Sequence, residues 1–270
     1  MFTPQYYFTP FRLGTRIDYH PEPPEELANH FVIAEKVSRY RFTEEESNFI
    51  FLDNVLVHTK RLINYLHNLA LPDFLDREVI ERMLWLHDIP EAVVNEKRGS
   101  DYVTHEKNAD AELSMFQDNQ EELVAKIIFS NHDFNLFRET EHAKSIIKSG
   151  NWSDSGFTAN SIFAKMLDWI DGRNTFVGVI TQWIASDDYS ANPVIAPYGT
   201  LELCLLQSYQ TWMSQFKTLE NTEIRQFMLD FIHGEMFLYY LDKWEPVIDR
   251  TSRETQAMFE KFKLSGAYHA

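Results

Sequence analysis

Apolar residues recur along most of the chain at three- and four-residue steps, the period of a helix that buries one face. Strict alternation of apolar and polar positions, the mark of a half-buried strand, is nearly absent. The stretch "PPEELANHFVIAEKVSRY" predicts a first helix. A second is predicted from "FTEEESNFIF", where Thr43 and Glu46 have capping-box spacing, as far as Pro72. A third starts near Asp76, a residue suited to an N-cap, and runs into "LWLHDIPEAVV". "HEKNADAELSMFQ", "EELVAKIIF" and "SIFAKMLDWIDGRNTFVGVITQWI" predict further helices. The loop "ASDDYSANPVIAPYGT", residues 185–200, is the clearest boundary, and three more helical stretches follow it to about Phe262. The expected fold class is therefore all-α. An extended arm over 1–25, rich in Pro and aromatic residues, precedes a helical core over 26–185. A helical extension over 186–270 packs on that core.

Composition narrows the function classes. Nine Gly and ten Pro in 270 residues are too few for many short, turn-linked strands. A hydrophobic content of 44% supports a sizeable core. The net charge of −16 repels polyanions, so neither a nucleic-acid polymer nor an anionic membrane is an expected partner. A small phosphate ester remains compatible, because a metal ion and a few local cations reverse the field inside a cleft. Cys204 is the single cysteine. No internal disulfide can form, and a reducing, cytoplasmic location is expected. No apolar run reaches membrane-spanning length.

Within the apolar pattern a few polar residues stand where hydrocarbon is expected. On the second predicted helix Phe51, Val55, Leu62, Tyr65 and Leu69 form one stripe, and His58 falls inside it. On the third, Val79, Ile80, Met83 and Leu84 form the inner face, His87 continues it, and Asp88 follows directly. A buried carboxylate without a partner is costly. A His–Asp hydrogen bond offsets part of that cost. A divalent cation offsets more, because it attracts the carboxylate and accepts the imidazole lone pair. Pro90 disfavours helical geometry at Ile89, so the helix is predicted to end near Asp88 and a new one to open with Pro90 in its first turn. Consecutive side chains on a straight helix splay by about 100°, and a helix end relaxes that constraint. His87 and Asp88 can then converge on one ion, with Glu91 close by. Taken alone, His58 reads as a core histidine bonded to a carbonyl before it reads as a ligand, and Asp168 with Asp171 as a solvated helix face.

The set His58, His87–Asp88 and Asp168 in "AKMLDWID" resembles the H…HD…D signature of the HD-domain superfamily of metal-dependent phosphohydrolases. "HDIPEAVV" is similar to its HDxxE subgroup, which includes 5′-deoxynucleotidase-like enzymes. The resemblance covers about 45–180 and leaves the arm and the extension outside. It implies that His58, His87, Asp88 and Asp168 bind one divalent metal ion (Mn, Co, Mg, Fe, Ni or Zn), whose bound water attacks a phosphorus. It implies Glu91 as the carboxylate that orients this water or moves its proton. Glu96 stands where the subgroup often carries a further Asp, and is one methylene longer. The implied activity is hydrolysis of a small phosphate ester, by analogy a nucleotide. Lys60 and Arg61, which follow His58, and Lys165, one turn before Asp168, read either as surface cations or as contacts for the phosphate. Lys165 reads equally as a partner of Asp168.

Two rival expectations follow from the same residues. His132 in "FSNHDFNLF" makes a second HD dipeptide. The preceding helix reads as ending at Ser130–Asn131, which makes His132 a loop histidine and Asp133 a turn or cap residue. His132 as a ligand would instead imply a two-metal phosphodiesterase or a di-iron oxygenase. The other rival is a helical binding protein that keeps the metal corner for stability and turns nothing over. The sequence has no phosphate-cradling glycine loop, nucleophile elbow or cysteine cluster. The arm and the extension are compatible with a homodimer, and the sequence does not fix the assembly.

Overall fold

The computed structural model describes residues 19–39, 54–99, 110–186 and 196–267. Among them no β-strand forms, and an isolated antiparallel bridge joins Ser38 to Asn54. The all-α expectation holds. A turn of 3-10 helix, Glu25–Leu27, leads into α1, Ala28–Ala34. α2 is Val55–Asn68, α3 Arg77–Leu86 and α4 Ile89–Asn95. α5 is Ala111–Ile128, α6 Asn131–Ser149 and α7 Ala159–Ala185. α8, Ala196–Phe216, is followed by α9, Thr222–Ile232, which passes through a π turn at His233–Leu238 into α10, Tyr239–Trp244. α11 is Arg253–Ala267.

These residues pack as two compact units. Residues 19–39, 54–99, 110–145 and 154–168 form one. Residues 146–153, 169–186 and 196–267 form the other, so the second half of α7 packs with the C-terminal helices. In the first unit α2 packs on α3, and α4 packs on both α1 and α5. Its core includes Phe31, Leu62, Ile63, Leu66, Ile80, Met83, Leu84 and Leu86. In the second unit α8 packs on α9 and α11. There the Asn174 amide donates to the Glu235 carbonyl at 2.9 Å, and Tyr239 Oη donates to the Asn174 carbonyl at 3.1 Å. These bonds tie α7 to the π turn, where the helical ladder is disturbed.

Helix starts in the first unit are set by short polar side chains that accept from otherwise unpaired backbone N–H groups. Asn54 accepts from Val57 N at 2.8 Å. Asp76 accepts from Glu78 N and Val79 N at 3.0 and 3.2 Å, as its position in the sequence predicted. Asp110 does the same for Glu112 and Leu113. Gly150, at φ 68°, closes α6, and its N–H donates to the Ile146 carbonyl at 2.8 Å.

Several expectations shift. α2 starts at Val55, where the extended Asn54 (φ −125°, ψ 167°) is its N-cap. The Thr43–Glu46 box, Phe51 and the arm up to residue 18 lie outside the described residues. The segments "AELSMFQ" and "EELVAKIIF" form one helix, α5. α6 was not predicted at all. Its start is a reciprocal cap: Ser130 Oγ accepts from Asp133 N at 3.1 Å and donates to Asp133 Oδ2 at 2.9 Å. His132 is therefore an exposed residue of a helical first turn, not of a loop. No helix among the described residues is long and apolar enough to cross a membrane.

Candidate metal centre

His58 enters the first unit from the fourth position of α2. Val55, Leu62, Tyr65 and Leu66 are buried on the same face at helical spacing, so the imidazole is carried fully inside with them. His87 and Asp88 come from the corner between α3 and α4. His87 is the residue after α3, its N–H still bonded to the Met83 carbonyl at 3.0 Å. Asp88 precedes α4, and its carbonyl accepts from Ala92 N at 3.0 Å. Pro90 sits in the first turn of α4, where its missing N–H costs no helical bond. The break thus places two adjacent side chains on one point. Asp168 comes from α7, and its side chain is 8% exposed despite its charge.

Four donor atoms meet: Nε2 of His58, Nε2 of His87, Oδ2 of Asp88 and Oδ1 of Asp168. The two imidazole nitrogens are 3.4 Å apart. His58 lies 3.2 Å from Asp168 and 3.8 Å from Asp88. His87 lies 3.2 Å from Asp88 and 3.7 Å from Asp168. All four atoms lie within 4.8 Å of one another. A cation about 2.1 Å from each donor sets its donors about 3 Å apart at right angles and about 4 Å apart across the ion. The five separations that involve a histidine fall in that interval, and two imidazoles with two carboxylates suit a first-row divalent ion. This buried group could hold a metal ion.

The surroundings prepare these atoms for a cation. His87 Nδ1 donates to the Leu84 carbonyl at 2.7 Å, which leaves the lone pair of the neutral ring on Nε2, facing the other three donors. Burial lowers the His87 pKa, but Asp88 and Asp168 overcome it and raise the value to about 10. The same two carboxylates favour any positive charge at that point. Asp88 is held below the ordinary carboxylate range, because His87 outweighs the cost of burial. Asp168 is held well below it, against burial, chiefly by Lys165 and then by the two histidines.

The other predicted residues are placed as follows. Glu91 is half-buried in the first turn of α4, one turn beyond Asp88. Glu96 is exposed at the far end of α4, about 12 Å of helical rise from Asp88. Lys60 lies on α2 with its ammonium 3.0 Å from Glu22. Arg61 follows it, half-buried. Lys165 is buried, with Nζ 2.8 Å from Asp168 Oδ2. His132 is not part of the four-residue group, and no second such group occurs among the described residues.

Two contributors were missed from sequence. Arg39 brings Nη2 to 3.6 Å from Asp168 Oδ1, on the same oxygen that faces the histidines. Glu141 of α6 reaches Lys165 from the other side at 3.7 Å. Arg39 lies nineteen positions before His58 and Glu141 on a helix that was not predicted, so no local spacing marks either one. Comparison of the chain with family models, with curated proteins and with solved structures finds no match.

Proposed function

We propose that this chain is a metal-dependent phosphohydrolase of the HD-domain type, acting on a small phosphate ester, by preference a nucleotide. The observation that carries the reading is the convergence of His58, His87, Asp88 and Asp168 on one buried point. Packing alone gives a chain little reason to bury two imidazoles and two carboxylates together, because each charge must then be offset. A divalent cation bound by these four residues would polarise a phosphoryl oxygen and make a bound water more acidic.

Glu91, three residues beyond Asp88 in the first turn of α4, would take the proton of that water, a role that rests on its match to the HDxxE pattern. Arg39 adds a guanidinium beside Asp168, and its fork of N–H donors suits two phosphate oxygens. The nucleotide preference rests on the resemblance of "HDIPEAVV" to the HDxxE subgroup. The reading carries with it a cytoplasmic location and is compatible with a homodimer.

The test is a panel of nucleoside monophosphates and simple phosphate esters with Mn, Co, Mg, Ni and Zn, run beside Asp88→Ala. Wild type should release inorganic phosphate from at least one compound. Asp88→Ala should lose at least about 100-fold of that rate, as removal of a group that stabilises the transition state does. Equal rates from the two proteins would exclude hydrolysis at this centre. Metal binding without turnover of any compound would favour the binding-protein reading.

A further inference from the structure

Asp168 divides its two oxygens between two tasks. Oδ1 faces His58 and His87 at 3.2 and 3.7 Å. Oδ2 lies 2.8 Å from Lys165 Nζ. Lys165 thus holds the carboxylate so that a single oxygen is offered to the histidine side. A lysine is a point charge on a flexible four-carbon stem, and one partner a turn away on its own helix does not fix where its ammonium sits. Here a second anchor comes from another helix. Glu141 Oε1 on α6 lies 3.7 Å from Lys165 Nζ. Its other oxygen lies 2.8 Å from Lys144 Nζ, which is in turn 3.6 Å from Asp118 Oδ1 on α5. Charges alternate along the whole line: Asp118, Lys144, Glu141, Lys165, Asp168. Burial raises the Glu141 pKa, but Lys144 and Lys165 overcome it and hold the carboxyl below its ordinary range, so Glu141 is ionised at neutral pH.

We propose that Glu141 is a positioning residue of the metal centre, acting through Lys165 to hold Asp168 as a one-oxygen ligand. This rests on the metal-centre reading above, and only the binding step is at issue. Without the Glu141 charge, the Lys165 ammonium loses one of its anchors and can shift toward Oδ1, where it competes with a cation. Glu141 touches none of the four donors; apart from charge repulsion with Asp168, its effect passes through Lys165. It also borders a cavity of about 260 Å³ lined by Asp118, Arg138, His142 and Lys144. A substituted side chain there has room and access to water.

The experiment is a double-mutant cycle on the full-length protein, with Mn²⁺ affinity measured by isothermal titration calorimetry. Glu141→Gln should weaken Mn²⁺ binding by about tenfold, within the range for residues that orient ligands. In the Lys165→Met background the same change should shift affinity by less than about twofold, because the route is already gone. The visible spectrum of bound Co²⁺ should differ between wild type and Glu141→Gln, since the Asp168 ligand is held differently. Glu141→Asp, which keeps the charge but withdraws it by one methylene, should fall between wild type and Glu141→Gln, and it decides the question should the glutamine variant not fold. A Glu141 variant that binds Mn²⁺ as wild type does, or an equal loss in both backgrounds, would overturn the proposal while leaving the metal centre intact. A wild-type protein that binds no divalent ion would remove both together.

Discussion

The Nδ1 atom of His87 donates to the carbonyl oxygen of Leu84 at 2.7 Å, across the last turn of α3. The carbonyl is one that a helix end leaves without an intrahelical partner, and using it fixes the orientation of the ring. Helix termination and ligand orientation are therefore one feature. His87→Ala should lower Mn²⁺ affinity by at least about 100-fold, at or beyond the upper range for residues that merely orient ligands. Calorimetric titration reads the loss, with circular dichroism as the control for folding. A change of less than about fivefold would mean that the ring is packing and not a ligand.

α3 delivers that ring, and Asp76 starts α3. Its carboxylate accepts from two backbone N–H groups, at 3.0 and 3.2 Å. Asp76→Ala should destabilise the fold by about 1 kcal/mol, the usual cost of losing an N-cap. Urea denaturation measures it, and an unchanged midpoint would show that these bonds add nothing net.

Arg82 and Asp133 form a two-point pair at 2.7 and 2.8 Å that ties α3 to α6. Asp133 is held below the ordinary carboxylate range, first by its bond to Arg82. A lowered carboxylate stabilises the fold above its unfolded pKa, near 3.9, and that stability is lost as pH falls through the folded value. Asp133→Asn should cost about 2 kcal/mol at pH 7. The gap between the two proteins should narrow as pH drops below about 4. A gap that stays constant down to pH 3 would argue against the ion pair as its source.

A cation that binds the folded chain alone also stabilises it. Mn²⁺ at one hundred times its dissociation constant should add about 2.7 kcal/mol, and chelator should reverse the gain. The melting temperature should rise with Mn²⁺ in wild type and stay fixed in Asp168→Ala. Equal shifts in both would locate the ion elsewhere.

The parts of this centre that were legible in sequence are those with a local cause. Pro90 betrays the break between α3 and α4, and the apolar stripe of α2 betrays the inward direction of His58. α6 was hidden because residues 131–149 mix polar and apolar positions and because "NHD" resembles a turn, while the Ser130–Asp133 cap needs a structure to be seen. Asp168 and Asp171 read as a solvated face on their own helix. Both are buried, because much of α7 is inside, including Ile162–Leu167, Ile170 and Val177. A charge on such a helix has no outer face to occupy, and amphipathic spacing is no guide to it. Arg39 and Glu141 matter only through tertiary approach, which no spacing along the chain encodes.

The central claim is that His58, His87, Asp88 and Asp168 together hold one divalent cation. Equilibrium dialysis of the full-length protein against Mn²⁺, with metal counted by elemental analysis, tests it most directly. Wild type should retain one ion per chain, and His58→Ala and Asp168→Ala should each retain almost none while staying folded. Full retention in either variant, or two ions in wild type, would contradict it.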